Sequence, residues 1–438
     1  MSDNQTEETT SELVTEESFV DESFFTGEEK KEEVEDTGIN NMLQEQFSPK
    51  QIGSIARYTE PVNGSSPLET ALNMFKEDET LRCIPVEEYD HVIGFIDRKT
   101  IESVTDSVWK RITANNIIDY TQRVETILYA QDYIEKVLGK VSAINREYGI
   151  VYFPVFNSRS FYGMVSLDDF LDRTSDIREQ DLDKASMIQE SFFPHDDIIS
   201  QLPYSFHSWN RMANKLGGDM FQIYRFSSSC SLIACFDVSG KNVAASLLTI
   251  AVASFFHTFV ASNNSEKNPV RFIAMLDHYL ESVVPSGNFL TAAFVYVDEN
   301  AKKICIFNCG HTTIYMLKKD TVGSSKGKII SIQPKLPPLG MGVVHDQLLA
   351  SLKQDGKDRP YVAYNLTHGL HVELYSDGLT DMKSEVGKRY EDERTKEFFV
   401  KLYDKNDDEV EATIEKEVDD WTGKAMLPDD VTVLDVRF

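Results

Sequence analysis

Residues 230–240, CSLIACFDVSG, run from an apolar strand directly into an aspartate and a glycine turn. Three other segments also place an acid beside a glycine or before an apolar strand: Gly217-Gly218-Asp219, Ser376-Asp377-Gly378 and Asp429-Asp430-Val431-Thr432. Burying carboxylates close together costs several kcal/mol unless cations neutralise them. Oxygen ligands from several loops suit Mg²⁺ or Mn²⁺, and two such ions can activate a water against a phosphate. The four segments therefore predict a metal-dependent phosphatase.

The C-terminal half has the pattern of an α+β fold. Alternating apolar and polar residues predict strands, and longer runs with helical spacing predict helices. The predicted strands cover residues 230–236, 291–297, 303–308, 313–317, 370–375 and 431–436, and the predicted helices cover 243–261, 268–284, 391–404 and 407–422. Strand runs with helices inserted between them indicate a layered β-sandwich flanked by helices.

The net charge of the 438-residue chain is −28, and this charge is unevenly distributed. Residues 1–48 hold 15 Asp and Glu side chains against only Lys30 and Lys31, with few large apolar residues and no periodicity. We predict a disordered acidic tail there. The chain lacks the basic surface that nucleic acid requires, and an anionic membrane would repel it. We therefore expect neither nucleic acid nor a membrane as a partner.

The chain shows no pattern typical of export or membrane insertion. Met1 is followed by acidic residues rather than by lysines and an apolar run, which argues against a signal peptide. The longest apolar segment, residues 243–260, contains serine, threonine and histidine, so it predicts a buried helix rather than a membrane span. Five scattered cysteines suit a reducing compartment. We expect a cytoplasmic protein.

Residues 50–172 contain an internal repeat of helix, short strand with Pro-Val, turn, strand with glycine, and helix. The first copy includes segments 66–75, 83–86, 92–96 and 98–104, and the second includes 124–138, 150–156, 162–165 and 167–171. This order resembles a tandem pair of CBS modules, which dimerise and often bind adenine nucleotides. The resemblance implies an α/β regulatory domain.

The resemblance to CBS modules also implies a candidate ligand site in the second copy. The ribose-contacting pattern of the family, a hydroxyl residue followed three positions later by Asp or Asn, is met by Ser166 and Asp169. In the first copy, Asp97 and Thr100 carry these residue types in the reverse order. Two interpretations stay open: the pair binds an adenine nucleotide, or it only dimerises.

Residues 173–194 link the repeat to the C-terminal domain. Apolar residues recur there at a spacing of about 3.5 residues, charged residues fill the gaps, and Pro194 ends the run. This pattern predicts a helical connector. It is either one strand of a two-helix coil in a homodimer or a helix that caps the surface of the C-terminal domain.

The order of the motifs from residue 200 onward resembles PPM-type serine/threonine phosphatases of the SpoIIE/RsbU branch. The motifs are G-G-D, D-V-S-G-K, F-L-T-A-A-F, C-G-H, P-P-L-G, S-D-G-L-T-D and D-D-V-T-V. The resemblance covers residues 200–438. It implies an αββα sandwich that binds two Mn²⁺ or Mg²⁺ ions.

By motif match, the resemblance implies roles for single residues. Asp237 would bridge both ions, and the carbonyl of Val238 would bind one of them. Asp377 and Asp429 would hold the other ion. Asp219 would contribute directly or through metal-bound water.

Three positions leave questions that the sequence keeps open. Asp429 and Asp430 are adjacent acids, and the family pattern makes the first one the ligand. His311 is either a general acid for the leaving serine oxygen or a structural histidine in a turn. Asn242 stands where the family has a glycine after D-V-S-G-K, and asparagine tolerates positive φ better than most residues.

These features predict a metal-dependent protein serine/threonine phosphatase that is regulated by an N-terminal sensor. By resemblance, its substrate would be a phosphorylated STAS-type anti-sigma antagonist. The alternative is a non-enzymatic signalling scaffold, in which a degenerate phosphatase fold only binds its partner. The complete set of motif aspartates favours the enzyme.

Overall fold

The computed structural model describes residues 44, 46–105, 116–240, 243–261, 268–285, 287–318, 328–353 and 359–438. The chain divides into two compact units, Met1–Asp176 and Ile177–Phe438. The predicted acidic tail, residues 1–48, lies almost wholly outside the described residues. The predicted domain bounds of 50–172, 173–194 and 200–438 stay predictions.

The N-terminal unit contains the internal repeat as two copies with the same element order. The first copy comprises β1 (Val62–Asn63), α1 (Leu68–Glu77), β2 (Cys83–Glu88), β3 (His91–Asp97) and α2 (Arg98–Thr105). After β4 (Gln122–Arg123), the second copy comprises β5 (Leu128–Tyr129), α3 (Ile134–Tyr148), β6 (Tyr152–Asn157), β7 (Ser160–Ser166) and the first part of α4 (Leu167–Glu190), a helix that continues past Asp176 into the C-terminal unit. In each copy the first two strands pair in parallel and the last two pair antiparallel.

In each copy, a glycine in the last strand allows a backbone segment from outside the copy to pair closely with that strand. A side chain at Gly94 would run into the carbonyl of Gln122 in β4, and a Cβ at Gly163 would lie 2.6 Å from the carbonyl oxygen of Arg57. β4 pairs with β3, and Arg57 pairs with Met164 in β7. Each copy is therefore completed by the segment that leads into the other copy.

One helix of the repeat lies further along the chain than predicted. The sequence predicted a helix over 124–138, but the helix is Ile134–Tyr148 and residues 128–129 form β5 instead. Leu128 and Tyr129 pair with Val155 and Phe156 in the parallel ladder. Long-range pairing with β6 outweighs the local helical spacing, because β5 contributes the buried Leu128 to this unit.

The C-terminal unit contains two five-stranded antiparallel sheets. The first sheet has the order β15-β12-β11-β10-β9 and the second has the order β14-β13-β16-β17-β8. The strands are β8 (Ser205–Arg211), β9 (Asp219–Ser227), β10 (Cys230–Val238), β11 (Leu290–Asp298), β12 (Lys303–Cys309), β13 (Ile314–Lys318), β14 (Lys328–Ile332), β15 (Val362–Asn365), β16 (Leu370–Tyr375) and β17 (Val431–Arg437).

Helices cover the outer faces of the two sheets. They are α6 (Val243–Ala261), α7 (Pro269–Val283), α8 (Val344–Ser351), α9 (Asp377–Asp381), α10 (Glu391–Leu402) and α11 (Val410–Thr422). The short helix α5 (Asp196–Ile199) instead packs with Ile198 and Ile199 against the core between the sheets. One core lies between the first sheet and α6 to α8, a second lies between the sheets, and a third lies between the second sheet and α9 to α11. The predicted α+β class and αββα sandwich are confirmed.

Strand alternation decides what the second sheet presents to each side. In β16, Val372 and Leu374 enter the core between the sheets. The intervening His371 and Glu373 point to the opposite face, toward the helices, because successive side chains of a strand alternate. β16 therefore places the ionisable side chains of His371 and Glu373 beneath α10 and α11, the helices that cover this face of the second sheet.

Candidate functional site

The structure places the four predicted acidic segments at one edge of the sandwich. Asp219 begins β9 and Asp237 lies near the end of β10, and these two residues are direct cross-strand partners. The N–H of Val238 donates to the carbonyl of Gly218 at 3.1 Å. The G-G-D and D-V-S-G segments are therefore joined by the ladder of the first sheet.

The second sheet contributes the other two segments. The Ser376 N–H donates to the carbonyl of Thr432 at 3.0 Å, and the Thr432 N–H donates to Ser376 Oγ at 2.9 Å. A Cβ at Gly378 would collide with the carbonyl oxygen of Asp430. Glycine at position 378 therefore permits the S-D-G segment to approach the D-D-V-T segment this closely.

Two hydrogen bonds join the sheets at this edge. Thr432 Oγ1 donates to Asp219 Oδ2 at 2.8 Å, and the Gly218 N–H donates to Asp430 Oδ2 at 2.7 Å. Each bond links a residue at the start of β9, or directly before it, to a residue more than 200 positions away at the start of β17 or directly before it. The structure thus brings all four segments together, and Asp219, Asp237, Asp377 and Asp429 belong to them.

The electrostatics of Asp219 fit a cation-binding role. Asp219 is 2% exposed, and burial, followed by the charge of Asp237, raises its pKa well above the usual value. Hydrogen bonds from Ser376 and Thr432 oppose that rise. Two carboxylates directly opposite each other on neighbouring strands repel. A bound cation would remove this repulsion, so the donor set fits Mg²⁺ or Mn²⁺.

The four aspartates are not the tightest group of possible metal ligands. Within the described part of the chain, the one group of three such side chains with ligand atoms within 4.8 Å of one another is His371, Glu373 and Asp435. This group was not predicted from the sequence, because its members are spread over two alternating strands.

The geometry separates the two adjacent acids that the sequence could not. Asp430 Oδ1 accepts the N–H of Ala213 at 2.7 Å, and Asp430 Oδ2 accepts that of Gly218. Asp430 is 6% exposed and has both oxygens bonded to the backbone, so it acts as a brace between segments. Asp429 Oδ1 accepts the Asp430 N–H at 3.0 Å, and this side chain is less buried. This arrangement favours Asp429 as the ligand.

His311 is buried in the turn after β12. Its ring Nδ1 lies 2.8 Å from Thr291 Oγ1, and its backbone N–H donates to Asn308 Oδ1 at 2.9 Å. Burial lowers the pKa of His311 to about 4. The imidazole is therefore neutral at pH 7, which favours the structural role over that of a general acid. Asn242, the departure from the family glycine, lies outside the described residues.

Gln189 lies in the predicted helical connector, residues 173–194, and was not predicted as a functional residue. This side chain is 2% exposed, and its Nε2 donates to the Gly217 carbonyl and to Thr249 Oγ1, both at 2.8 Å. Its Oε1 accepts the Gly217 N–H at 3.2 Å. The end of α4 is thus tied to the G-G-D segment and to α6. The sequence contains no local signal for this contact, because the partners of Gln189 lie 28 and 60 positions further along the chain.

The predicted ligand residues of the N-terminal unit, Ser166 and Asp169, line a cavity of about 590 Å³ together with Arg57, Arg82 and Tyr152. The volume lies in the range of small-molecule sites. Asp169 Oδ2 accepts the N–H of Ser166 at 2.8 Å, and the Asp169 N–H donates to Ser166 Oγ at 3.0 Å. These bonds also cap the start of α4.

The first copy of the repeat contains a similar cap. Asp97 Oδ1 accepts the N–H of Thr100 at 2.7 Å, so the reversed residue types still begin α2. A helix cap is therefore common to both copies, while the cavity lining includes Ser166 and Asp169 but neither Asp97 nor Thr100.

Comparisons with known proteins match both units. Residues 227–438 match the family model of stage II sporulation protein E (SpoIIE), and residues 57–104 match the CBS domain model. The CBS match covers the first copy of the repeat. A comparison with curated proteins found no match.

Several solved structures are similar to the chain. The SiaA PP2C domain of Pseudomonas aeruginosa is 19% identical, with 60% of this chain and 98% of that chain covered and a TM-score of 0.49. The RsbU and RsbW domains of a Mycobacterium tuberculosis protein are 17% identical, with coverages of 53% and 59% and a TM-score of 0.41. The SpoIIE phosphatase domain with a regulatory fragment, from Bacillus subtilis, is 15% identical, with coverages of 53% and 63% and a TM-score of 0.38.

The helices were also compared with the requirements of a membrane span. Among the residues that the structure describes, no helix combines the length and the apolar character needed to cross a bilayer.

Proposed function

We propose that this chain, which carries a C-terminal PP2C-type domain of the SpoIIE phosphatase family and an N-terminal CBS domain, is a metal-dependent protein serine/threonine phosphatase. The observation that carries the proposal is the pairing of Asp219 with Asp237 across β9 and β10, at the edge where Asp377 and Asp429 also lie. Carboxylates gathered in this way suit hard divalent cations.

Five residues would hold the ions: Asp219, Asp237, Val238 through its carbonyl, Asp377 and Asp429. Bound Mn²⁺ or Mg²⁺ would supply Lewis-acid activation of water and would offset the charge of a phosphoryl group. The protein's own part is preorganisation. Thr432 and Ser376 orient the Asp219 carboxylate, while Asp430 holds the backbone of the neighbouring segments.

We further propose that the substrate is a phosphorylated protein, namely a STAS-type anti-sigma antagonist in the cytoplasm. The net charge of −28 supports a protein partner over nucleic acid or an anionic membrane. The substrate class rests on the family resemblance of the motifs, and a phosphoserine or phosphothreonine is the group that the metal chemistry would act on.

The test is hydrolysis of a generic phosphoester and of a phosphoserine peptide by the full chain. Asp237→Asn or Asp377→Asn should lower the rate by ~10³-fold or more, because losing several kcal/mol of charge stabilisation corresponds to that factor. Activity should require added Mn²⁺ or Mg²⁺ and should be lost in chelator. Asp346→Asn, in a side chain that is 86% exposed, is the matched control and should leave the rate unchanged.

The competing proposal is a signalling scaffold without catalysis. It predicts no metal-dependent hydrolysis in the parent protein and no difference between the parent and Asp377→Asn. Full activity of Asp377→Asn with unchanged metal dependence would contradict the assignment of the ligands.

The regulatory part of the proposal concerns the cavity at Ser166 and Asp169. We propose that an adenine nucleotide binds there and changes the helix α4, which begins directly after Ser166 and contains Gln189. A ligand shifts an equilibrium only if it binds the two conformations with different affinity. Calorimetry of the full chain with adenine nucleotides, paired with phosphatase rates, tests this. Binding that disappears in Asp169→Ala together with its effect on the rate would support the idea, and millimolar nucleotide without binding would reject it.

We propose a homodimer in which α4 takes part. Leu171, Met187 and Ile188 on this helix are 47%, 58% and 55% exposed, although all three are large and apolar. Sedimentation of the full chain at tens of micromolar concentration should show a dimer, since a specific interface has a micromolar Kd or better. The double substitution Leu171→Glu and Ile188→Glu should shift the dimer to a monomer. A parent protein that is monomeric at this concentration would reject the dimer.

A further inference from the structure

A second cluster of ionisable side chains lies far from the motif aspartates, beneath the helices that cover the second sheet. Glu373 of β16 and Asp435 of β17 are direct cross-strand partners, and His371 lies two residues before Glu373 on the same face. His371 is 9% exposed, whereas Glu373 and Asp435 are both 0% exposed. Glu373 precedes Asp377 by four residues, which is roughly 13 Å along a strand.

Four polar atoms of this cluster have no hydrogen-bond partner among the described residues, whereas Asp435 Oδ2 accepts from Arg437 Nε and Nη2 at 2.9 and 2.8 Å. The four atoms are both carboxylate oxygens of Glu373, Asp435 Oδ1 and His371 Nδ1. The ligand atoms of the three residues lie within 4.8 Å of one another, and His371 Nδ1 is 3.7 Å from Asp435 Oδ1. Ligands of a tetrahedral ion with bonds of 2.0–2.2 Å are roughly 3.4 Å apart. A small contraction would therefore bring these atoms onto one ion.

The charge of the surroundings calls for a cation. Arg437 is the cationic partner in contact, and its Nη2 pairs with Asp435 Oδ2 at 2.8 Å while its Nη1 pairs with Asp407 Oδ1 at 2.9 Å. Asp407 is 55% exposed and is therefore screened by solvent, so the carboxyl groups of Glu373 and Asp435 are the ones that face the guanidinium inside the cluster. The cross-strand partner of Asp435 on β8 is His207, whose Nε2 lies 3.5 Å from Asp407 Oδ1. A divalent ion bound by Glu373 and Asp435 would offset the repulsion between their carboxylates.

The imidazole is in the form that binds metals. Burial, followed by the charge of Arg437, lowers the pKa of His371 to about 4, so the ring is neutral at pH 7. Burial and the charge of Asp435 raise the pKa of Glu373 well above its usual value. The like charges of Glu373 and Asp435, directly opposite each other, are unfavourable without a compensating ion or proton.

We propose that His371, Glu373 and Asp435 bind one divalent transition-metal ion of the Zn²⁺ type as a structural site. One imidazole with two carboxylates is a donor set that favours Zn²⁺ over Mg²⁺, which prefers oxygen ligands and bound water. The site is distinct from the motif aspartates and does not depend on the proposed phosphatase function.

The surroundings of the cluster support a structural role. The Tyr403 ring packs on His371 with 4.2 Å between centroids, and Tyr403 OH donates to the Gly369 carbonyl at 2.7 Å. Arg437 donates to the carbonyls of Leu402 and Lys405 at 3.3 and 2.7 Å. These contacts join the end of α10 to β16 and β17. An ion held here would stabilise the attachment of the helix layer to the sheet.

The experiment measures zinc in the full chain carrying Asp237→Asn and Asp377→Asn, which removes two of the five proposed ligands of the phosphatase centre. After loading with Zn²⁺ and desalting, this protein should keep about one zinc per chain by mass spectrometry, as expected for a buried site with three protein ligands. Adding Glu373→Gln should lower the zinc affinity by ~10–100-fold or more. Equal zinc content with and without Glu373→Gln, or no retained zinc, would overturn the proposal.

A second measurement guards against a variant that fails to fold. Co²⁺ replaces Zn²⁺ in such sites, and its visible absorption reports nitrogen ligation in the protein without a change at residues 371, 373 or 435. We expect a visible band that Zn²⁺ abolishes by displacement. If no band appears and infrared spectra show a protonated Glu373 carboxyl, a buried proton replaces the ion and the inference is wrong.

Discussion

Two groups of acidic residues lie along β16 and β17, and their surroundings differ. The loop end is the edge at Asp377, Asp429 and Asp430, which Asp219 also reaches, and the cluster end is the region of Glu373 and Asp435. At the loop end, Asp430 accepts backbone N–H groups with both oxygens, and Asp219 receives hydrogen bonds from Thr432 and Ser376. At the other end, neither oxygen of the fully buried Glu373 has a hydrogen-bond partner within the described part of the chain. One acidic cluster is held by the backbone of glycine-containing loops, whereas the other depends on its own side chains.

This difference indicates how each end would respond to loss of a cation. At the loop end, backbone hydrogen bonds maintain the positions of the segments, so a missing ion should cost activity more than stability. At the cluster end, a missing ion leaves like charges buried against each other, which costs several kcal/mol. We therefore expect a catalytic role for the first end and a structural role for the second.

The largest expected effect separates Asp429 from Asp430. Asp429→Asn should lower phosphatase activity by ~10³-fold or more with little change in unfolding temperature, because a metal-binding charge is lost. Asp430→Asn should lower the free energy of unfolding by roughly 2–3 kcal/mol, because an amide cannot accept from both Ala213 and Gly218. Activity assays and thermal unfolding of both variants measure this. The opposite pattern would exchange the roles of the two acids.

The second prediction tests the close approach at the loop end. Gly378→Ala should reduce activity by ~10²-fold, because the added methyl group would collide with the Asp430 carbonyl and displace the neighbouring Asp377. A displacement of about 1 Å at a catalytic site can cost a factor of this size. Gly139→Ala is the matched control. It lies in α3 with nothing within 4 Å of the added carbon and should be neutral or stabilising by about 0.5–1 kcal/mol. Normal activity in Gly378→Ala would show that the two segments need not touch.

The third prediction concerns the buried histidine at the loop end. Burial lowers the pKa of His311 to about 4. Between about pH 6.5 and pH 4, His311 is therefore protonated in the unfolded chain but stays neutral in the folded chain, which favours unfolding. The contribution of His311 to the free energy of unfolding should be fully present above pH 6.5 and should fall by roughly 3 kcal/mol as the pH drops to about 4. His311→Asn should flatten this part of the profile from denaturant unfolding, whereas the exposed His368→Asn should not. Identical profiles would mean that His311 is protonated in the folded state.

The smallest effect is expected at Gln189, which links α4 to the loop end. Gln189→Ala leaves the N–H and carbonyl of Gly217 without their side-chain partner, at a cost of about 1–3 kcal/mol. We expect a modest loss of activity with retained metal dependence. Gln201→Ala removes a glutamine that bonds only the exposed side chain of Arg225 and serves as the control. Equal activities would remove Gln189 from the regulatory proposal.

Local sequence determined the elements of this fold to a large extent. The layered β-sandwich flanked by helices followed from the alternating strands and the helical spacing, and the family resemblance of the motifs implied the αββα order. The CBS-like order followed from the repeat in residues 50–172. The acids at the loop end were visible because each stands beside a glycine or at a strand end, where short-range chemistry leaves a mark. These patterns depend on neighbours within a few positions of the chain.

Tertiary structure decided what depends on distant partners. The start of α3 was shifted by the pairing of β5 with β6, and the difference between Asp429 and Asp430 follows from N–H groups more than 200 residues away. The cluster of His371, Glu373 and Asp435 is invisible in the sequence because an outward-facing acid in a strand normally meets water. Only the helix layer that covers this face makes it buried, and burial is what gives these charges their consequence.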